Sequence, residues 1–152
     1  MVQLAWHYTT GGNFIDIMTS GILMTTSENC PTHEMPVLWF SLNPNWEPTA
    51  VKGIVVNGRR RTATMQETKK LGGGLVRLGY PRSKLIQWPR LAKEAGILSR
   101  DRKMLEMSGK EQGANPHHWS GSLFPISLDE LVVEFMNEQW ERVLSSNQKD
   151  AA

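Results

Sequence analysis

The sequence predicts an α+β fold, a mixed and mostly antiparallel sheet carrying a few short helices, and three observations predict it. Strand-like runs outnumber helical ones. The helical stretches do not alternate with the strands as a doubly wound parallel sheet requires. Finally, 152 residues of 39% apolar content suffice for one core and not for two. A single domain over residues 1–144 is expected, followed by a polar, flexible tail over 145–152.

QLAWHY (3–8) reads as the first strand. Asn13 is positioned to cap a helix, with Asp16 three residues on, near the positive end of the helix dipole, and Phe14, Ile17 and Met18 form its apolar stripe. Gly21 stands where a left-handed C-cap belongs. Residues 24–36 are rich in Thr, Ser, Asn and Pro and read as a loop. VLWFS (37–41), bounded by Pro36 and Asn43-Pro44, is apolar almost throughout, so it predicts a central strand covered on both faces with Trp39 buried. GIVVNG (53–58) predicts a strand or half of a hairpin, and LVRLGY (75–80) a strand that follows the turn at Gly72-Gly73-Gly74. Residues 88–98 and 99–113 read as helices, the second capped by Ser99 and ending near Gly113. LVVEFM (131–136) is the last strong strand, and Asn137-Glu138 turns it toward a pairing segment through Trp140 and Val143. The chain shows no internal repeat or low-complexity segment.

A net charge of +2 is too small to announce a nucleic-acid binder. No window approaches eighteen consecutive apolar residues, and no basic segment precedes an apolar core, so no membrane association is expected and the cytosol is the default compartment. Cys30 is the only cysteine, which excludes an intrachain disulfide and suits a reducing compartment; it reads as a loop residue. Walker A, Rossmann, HExxH and nucleophile-elbow motifs are all absent. His117 and His118 are adjacent, which on a strand would send them to opposite faces, and no metal is expected. Arg59-Arg60-Arg61 with Lys52, Lys69 and Lys70 forms the one basic cluster, either a solvated hairpin tip or a phosphate-contacting surface.

What rises above background is an ordered set. His7-Tyr8-Thr9 ends a strand, a short helix closes at Ser20-Gly21-Ile22-Leu23, and Leu38-Trp39-Phe40-Ser41 ends a second strand in a hydroxyl residue. Over roughly the first fifty residues this resembles the ADP-ribosyltransferase fold, in particular its His-x-Thr relatives, the rifampicin-modifying transferases and the DNA-targeting toxins of the DarT type. The resemblance implies NAD as the substrate cofactor. It places His7 and Thr9, with Tyr8 between them, on the adenosine side, and Trp39-Phe40-Ser41 around nicotinamide.

Cleaving the nicotinamide–ribose bond develops an oxocarbenium-like centre, which calls for a dry stacked wall and for acceptors facing the sugar, and for no metal. Trp39, Phe40, Trp46 and Tyr80 are candidates for that wall, with core packing as the competing role for each. The resemblance also implies a glutamate at the start of a late strand, and "GANPHHWSGSLFPISLDELVVEF" has none there. The candidates that remain are Glu47, Glu134 and, as a hydrogen-bonding substitute, His118. Glu47 has the better local argument, because Trp46-Glu47 reads as the start of a short helix facing the same cleft; its alternative is a first-turn glutamate complementing the helix dipole. Arg77 alternates with apolar residues, so it either pairs with pyrophosphate in a cleft or faces water from an edge strand.

Three function classes follow: an NAD-dependent ADP-ribosyltransferase acting on a nucleic-acid or protein acceptor, a relative that only binds NAD or an ADP-ribose-like nucleotide, and an interaction protein on the same fold. The first carries a structural expectation, that His7, Thr9 and Ser41 line one cleft at adjacent strand ends.

Overall fold

A computed structural model describes residues 2–143; the tail expected over 145–152 lies outside the described residues. In chain order the elements are β1 (Leu4–Thr10), α1 (Gly11–Ser20), β2 (Ile22–Leu23), β3 (Leu38–Ser41), β4 (Gly53–Val56), β5 (Arg59–Thr62) and α2 (Met65–Gly72). They continue as β6 (Leu75–Pro81), β7 (Ile86–Gln87), α3 (Arg90–Glu94), α4 (Ser99–Glu111), β8 (Trp119–Ser122), β9 (Ile126–Ser127), β10 (Val132–Met136) and β11 (Trp140–Arg142). Seven strands form one sheet in the order β11-β10-β6-β1-β3-β8-β7, every neighbouring pair antiparallel. β2 pairs with β9, and β4 with β5, as separate two-stranded units. The α+β class and the antiparallel bias expected from the sequence are both present.

Alternation along the strands sorts their side chains onto two faces. Ala5, Phe40, Val76 and Leu78 form the first face and bury Phe14 of α1, Leu23 and Ile126 of the β2–β9 pair, and Leu131. The second face carries Trp6, Tyr8, Trp39, Ser41, Arg77, Trp119, Glu134 and Trp140, and all six tryptophans of the chain lie on it or against it. There Trp88, Leu91, Ala92, Ala114 and Trp119 make a second core beneath α3 and α4.

Several elements differ from their sequence reading. Thr10, not Asn13, caps α1, its hydroxyl accepting from the Asn13 N–H at 3.4 Å. The helix starts at Gly11 because that turn lies directly on the glycine turn at 72–74: a Cβ on Gly11 would stand 2.2 Å from the Gly73 carbonyl oxygen. Only Arg90–Glu94 of the helix expected over 88–98 forms, since the chain reverses at Gly96 in left-handed geometry. Ser99 is the first residue of α4 rather than its cap, and Leu98 in the cap position makes no side-chain bond. No helix forms at Trp46-Glu47, where the chain makes one turn closed by Ala50 N–H to the Glu47 carbonyl at 2.9 Å. β8, with the sequence WSGS, has little strand propensity, yet it pairs along all of β3 because tertiary contact decides at a buried position. Trp39, expected buried, is 38% exposed, since the second face opens here into a cleft.

Gly79 on β6 shows how tightly that face is fitted: a Cβ there would meet the Trp6 ring at 2.7 Å. Gly79→Ala should therefore cost about 1–3 kcal/mol through overpacking. Urea unfolding checks this, and an unchanged midpoint would mean that Trp6 is free to move.

Candidate functional site

β1 and β3 share a single registered pair, Trp6 with Ser41. Beyond that pair the His7 imidazole takes over from the backbone ladder, donating from Nδ1 to the Trp39 carbonyl at 2.8 Å. A carbonyl only accepts, so the proton sits on Nδ1 and Nε2 is left as an acceptor. Burial lowers the His7 pKa, only partly opposed by this bond, which keeps the ring neutral at neutral pH.

At this seam lies a cleft of about 370 Å³, within the range of small-molecule sites. Its β-sheet side is formed by Trp6, His7, Tyr8, Trp39, Phe40, Ser41 and Trp119. α4 supplies Leu105, Ser108, Gly109 and Gln112, and the segment after β3 supplies Glu47, Thr49 and Ala50. Gly109 lets α4 approach, since a Cβ there would stand 2.5 Å from the Trp119 ring. A glycine inside a helix is the one sequence signal from which this wall was readable, and the sequence reading passed over it.

Glu47 is buried, at 7% exposure. Its Oε1 accepts from Trp119 Nε1 at 2.9 Å, while Oε2, also buried, has no partner. Desolvation raises the Glu47 pKa; the Trp119 bond, the nearby polar groups of Thr49 and the charge of His118 oppose it without cancelling it. A half-satisfied buried carboxylate in an aromatic cleft is costly to keep, and it is the kind of group that a cationic ligand completes.

The loop that delivers Glu47 is bonded along its length. Ser41 Oγ accepts from Asn43 N at 3.1 Å, which leaves its own O–H free to donate, and Asn43 Oδ1 accepts from Asn45 N and Trp46 N at 3.0 and 3.3 Å. Tyr8 donates its hydroxyl to the Asn43 carbonyl, Arg77 donates Nη1 to the Pro44 carbonyl, and Trp140 Nε1 donates to the Asn45 carbonyl at 2.8 Å. Burial pushes the Tyr8 phenol up to about 12, so it remains a donor.

Of the residues singled out from sequence, His7, Tyr8, Trp39, Ser41 and Glu47 come together on the cleft. Thr9, expected there with His7 and Ser41, does not line it; it is buried on β1 opposite Val76. Trp46 lies behind the lining, its ring 5.1 Å from that of Tyr8, with a buried Nε1 that has no partner. His118, half-buried on a 3₁₀ turn, acts on Glu47 through charge and does not line the cleft.

Arg77 faces neither a cleft nor water. β6 is a central strand, and the Arg77 guanidinium is buried, donating from Nε and Nη2 to Glu134 Oε1 at 2.9 and 2.6 Å. It stacks 3.8 Å from the Trp6 ring centroid and 4.7 Å from that of Trp140. Glu134 is held by this pair and by Arg142 at 3.4 Å, away from the cleft. Pairing across β10 and β6 could not be read from local spacing, so neither residue's partner was visible in the sequence.

Of the basic cluster, Arg59, Arg60 and Arg61 lie on the exposed β4–β5 hairpin, turned by Asn57-Gly58, Lys52 precedes it and Lys69 and Lys70 are on α2; Arg61 is held by both oxygens of Glu67 at 2.9 and 2.8 Å. Away from the cleft, His33 and Glu34 of the loop after β2 and Asp101 of α4 each offer one ligand atom within 4.8 Å of the others, a grouping that acidic surface groups commonly show without an ion. No helix of the described residues is long and apolar enough to cross a membrane. Comparison with protein-family models, with curated proteins and with solved structures found no match to this chain.

Proposed function

We propose that the cleft binds NAD and that the protein is an ADP-ribosyltransferase-type enzyme of the cytosol, with a nucleic acid or a protein as acceptor. The observation that carries this reading is Glu47: a buried carboxylate with one oxygen fixed by Trp119 and the other unpartnered, on an aromatic cleft shared with His7 and Ser41. In the reaction the C1′–N bond breaks, its electron pair leaves with neutral nicotinamide, and an acceptor oxygen or nitrogen attacks C1′ and gives up its proton. The Glu47 carboxylate faces the positive charge that develops on the ribose, in a site where water screens it poorly. The half-open Trp39 ring offers the flat apolar surface that the nicotinamide ring needs, with the Trp119 ring set edge-on beside it at 75°, and the free Ser41 O–H offers a donor to its amide. The Glu134 carboxylate is already held by two arginines, which leaves Glu47 as the carboxylate for this role.

The test is calorimetry with NAD followed by mass spectrometry for nicotinamide. Binding with release supports the enzyme. Binding without release reduces the protein to a nucleotide binder, and no binding removes NAD altogether. His7→Ala should weaken NAD binding by about 1–2 kcal/mol, because the imidazole acceptor and the order it imposes on the Trp39 carbonyl are lost. A large drop in Tm with unchanged affinity would make His7 a packing residue.

A further inference from the structure

We propose that Tyr8, Arg77 and Trp140 act as positioning residues that fix Glu47 at the cleft by gripping the three consecutive carbonyls of Asn43, Pro44 and Asn45. The inference rests on the reading of Glu47 as the catalytic carboxylate and names what holds it in place.

The segment from Leu42 to Pro48 has no regular secondary structure, so no helix or sheet ladder sets its course, and the side chains that bond its carbonyls do. Each of the three donors comes from a different strand of the same face: Tyr8 from β1, Arg77 from β6 and Trp140 from β11. Two of them are also registered across the sheet, Tyr8 opposite Arg77, and Arg77 is in turn opposite Glu134. The spacing of the carbonyls along the loop is thereby matched to a rigid row of side chains, which is how a loop acquires the precision of a sheet.

Arg77 suits this task because a guanidinium is a planar fork. Nε and Nη2 are taken by Glu134, which aims Nη1 at the Pro44 carbonyl and, at 3.4 Å, at the Tyr8 oxygen. Trp6 and Trp140 flank the plane and keep it from tilting. A buried ion pair is a weak device for stability, since an apolar pair of the same volume would serve as well, but an apolar pair donates nothing to a loop. Glu134 is therefore a positioning residue at one remove, acting through Arg77. From the far end of the loop, Trp119 fixes Glu47 Oε1 directly.

The test compares Trp140→Phe, which keeps an aromatic ring over Arg77 and deletes only the donor to Asn45, with Arg77→Lys, which keeps the charge and loses the fork. Two readouts are taken. The first is nicotinamide release, split into kcat and KM. A misplaced reacting group costs on the order of ten- to a hundredfold, so kcat should fall by about that factor with KM within about twofold. On a Glu47→Gln background Trp140→Phe should have little further effect, because the group it positions is gone.

The second readout needs no NAD. The Trp119 indole N–H is bonded to Glu47, so its NMR signal followed against pH reports the ionisation of that carboxyl; His118 and Tyr8 are the other titratable groups acting there. Trp140→Phe should move the signal and its midpoint, whereas a role confined to stability would lower Tm and leave both in place. Should Arg77→Lys not fold, Trp140→Phe carries the test alone. The proposal is overturned if a folded Trp140→Phe keeps both kcat and the Trp119 titration of the parent, or if it lowers kcat equally with and without the Glu47 carboxylate. A parent that releases no nicotinamide defeats the enzyme reading, and the Trp119 signal then decides the clamp: unchanged in Trp140→Phe, it overturns it; shifted, it supports it.

Discussion

Glu47→Gln is expected to lower nicotinamide release by about a hundredfold or more while leaving NAD affinity within a few-fold. Glutamine keeps the shape and the carbonyl oxygen that Trp119 Nε1 bonds, and removes only the charge that faces the ribose. The same variant carries a stability signature. Burial raises the folded pKa of Glu47 above its ordinary value of 4.5, so the folded state holds this proton more tightly than the unfolded chain. The parent therefore loses stability as pH rises from 4.5 through the raised value, and Glu47→Gln does not. The two proteins should be equally stable below that window, and the variant the more stable one at neutral pH. Rate should run the other way, the parent gaining activity as the carboxyl ionises across the same window. Thermal unfolding against pH, set beside the pH–rate profile, checks both signs. A variant less stable than its parent at pH 7, with full nicotinamide release, would make Glu47 a structural residue.

Arg77→Met is expected to destabilise the fold by about 3–5 kcal/mol, because Glu134 keeps only the more exposed Arg142 as a partner and its charge stays buried. The double variant Arg77→Met with Glu134→Leu should recover much of that loss, since the unpaired charge is then gone. Denaturant titration of the two single variants and the double variant measures the coupling. Additive effects would show that the two residues are not coupled, and that the loss in Arg77→Met does not come from an unpaired Glu134. In a recovered double variant the donor to Pro44 is still missing, so stability and the placement of the 43–47 loop come apart in one molecule.

How far the sequence could be read depended on whether a feature was local. The αL cap at Gly21, the strand at 75–80 after the glycine turn and the turn into Trp140 were visible because each is set by residues within a few positions. His7 and Ser41 were legible as neighbours because β1 and β3 lie side by side and both stretches have strong strand signals, although β1 runs on to Thr10, so that only Ser41 ends its strand and His7 sits in mid-strand. Arg77 was misjudged in both of its alternatives: its neighbours in sequence are apolar, and the glutamate that satisfies it comes from β10, far along the chain. β8 and the α4 wall were missed for the opposite reason. WSGS is a poor strand stretch by composition, whereas the helix over 99–113 was read and only its packing on the cleft was not; the glycines of both are there to admit close neighbours that only the fold supplies. Glu47 was chosen for its nearness to Ser41, but the helix expected to present it does not form, and a loop bonded to the sheet takes its place.

The single rung between β1 and β3 bears on how this molecule breathes. On one side β1 is zipped along its whole length to β6, and on the other β3 is zipped along its whole length to β8, so the sheet consists of a four-stranded plate and a three-stranded plate. Amide hydrogens deep in either plate should exchange with solvent only on global unfolding, while those along the junction exchange through small openings. The line of least backbone cohesion runs through the floor of the cleft, with the His7 imidazole as its latch. A ligand seated there spans both plates, and its signature in exchange would be slower amides at Phe40 and Ser41 and at Trp6 to Tyr8, with the interior of each plate unchanged.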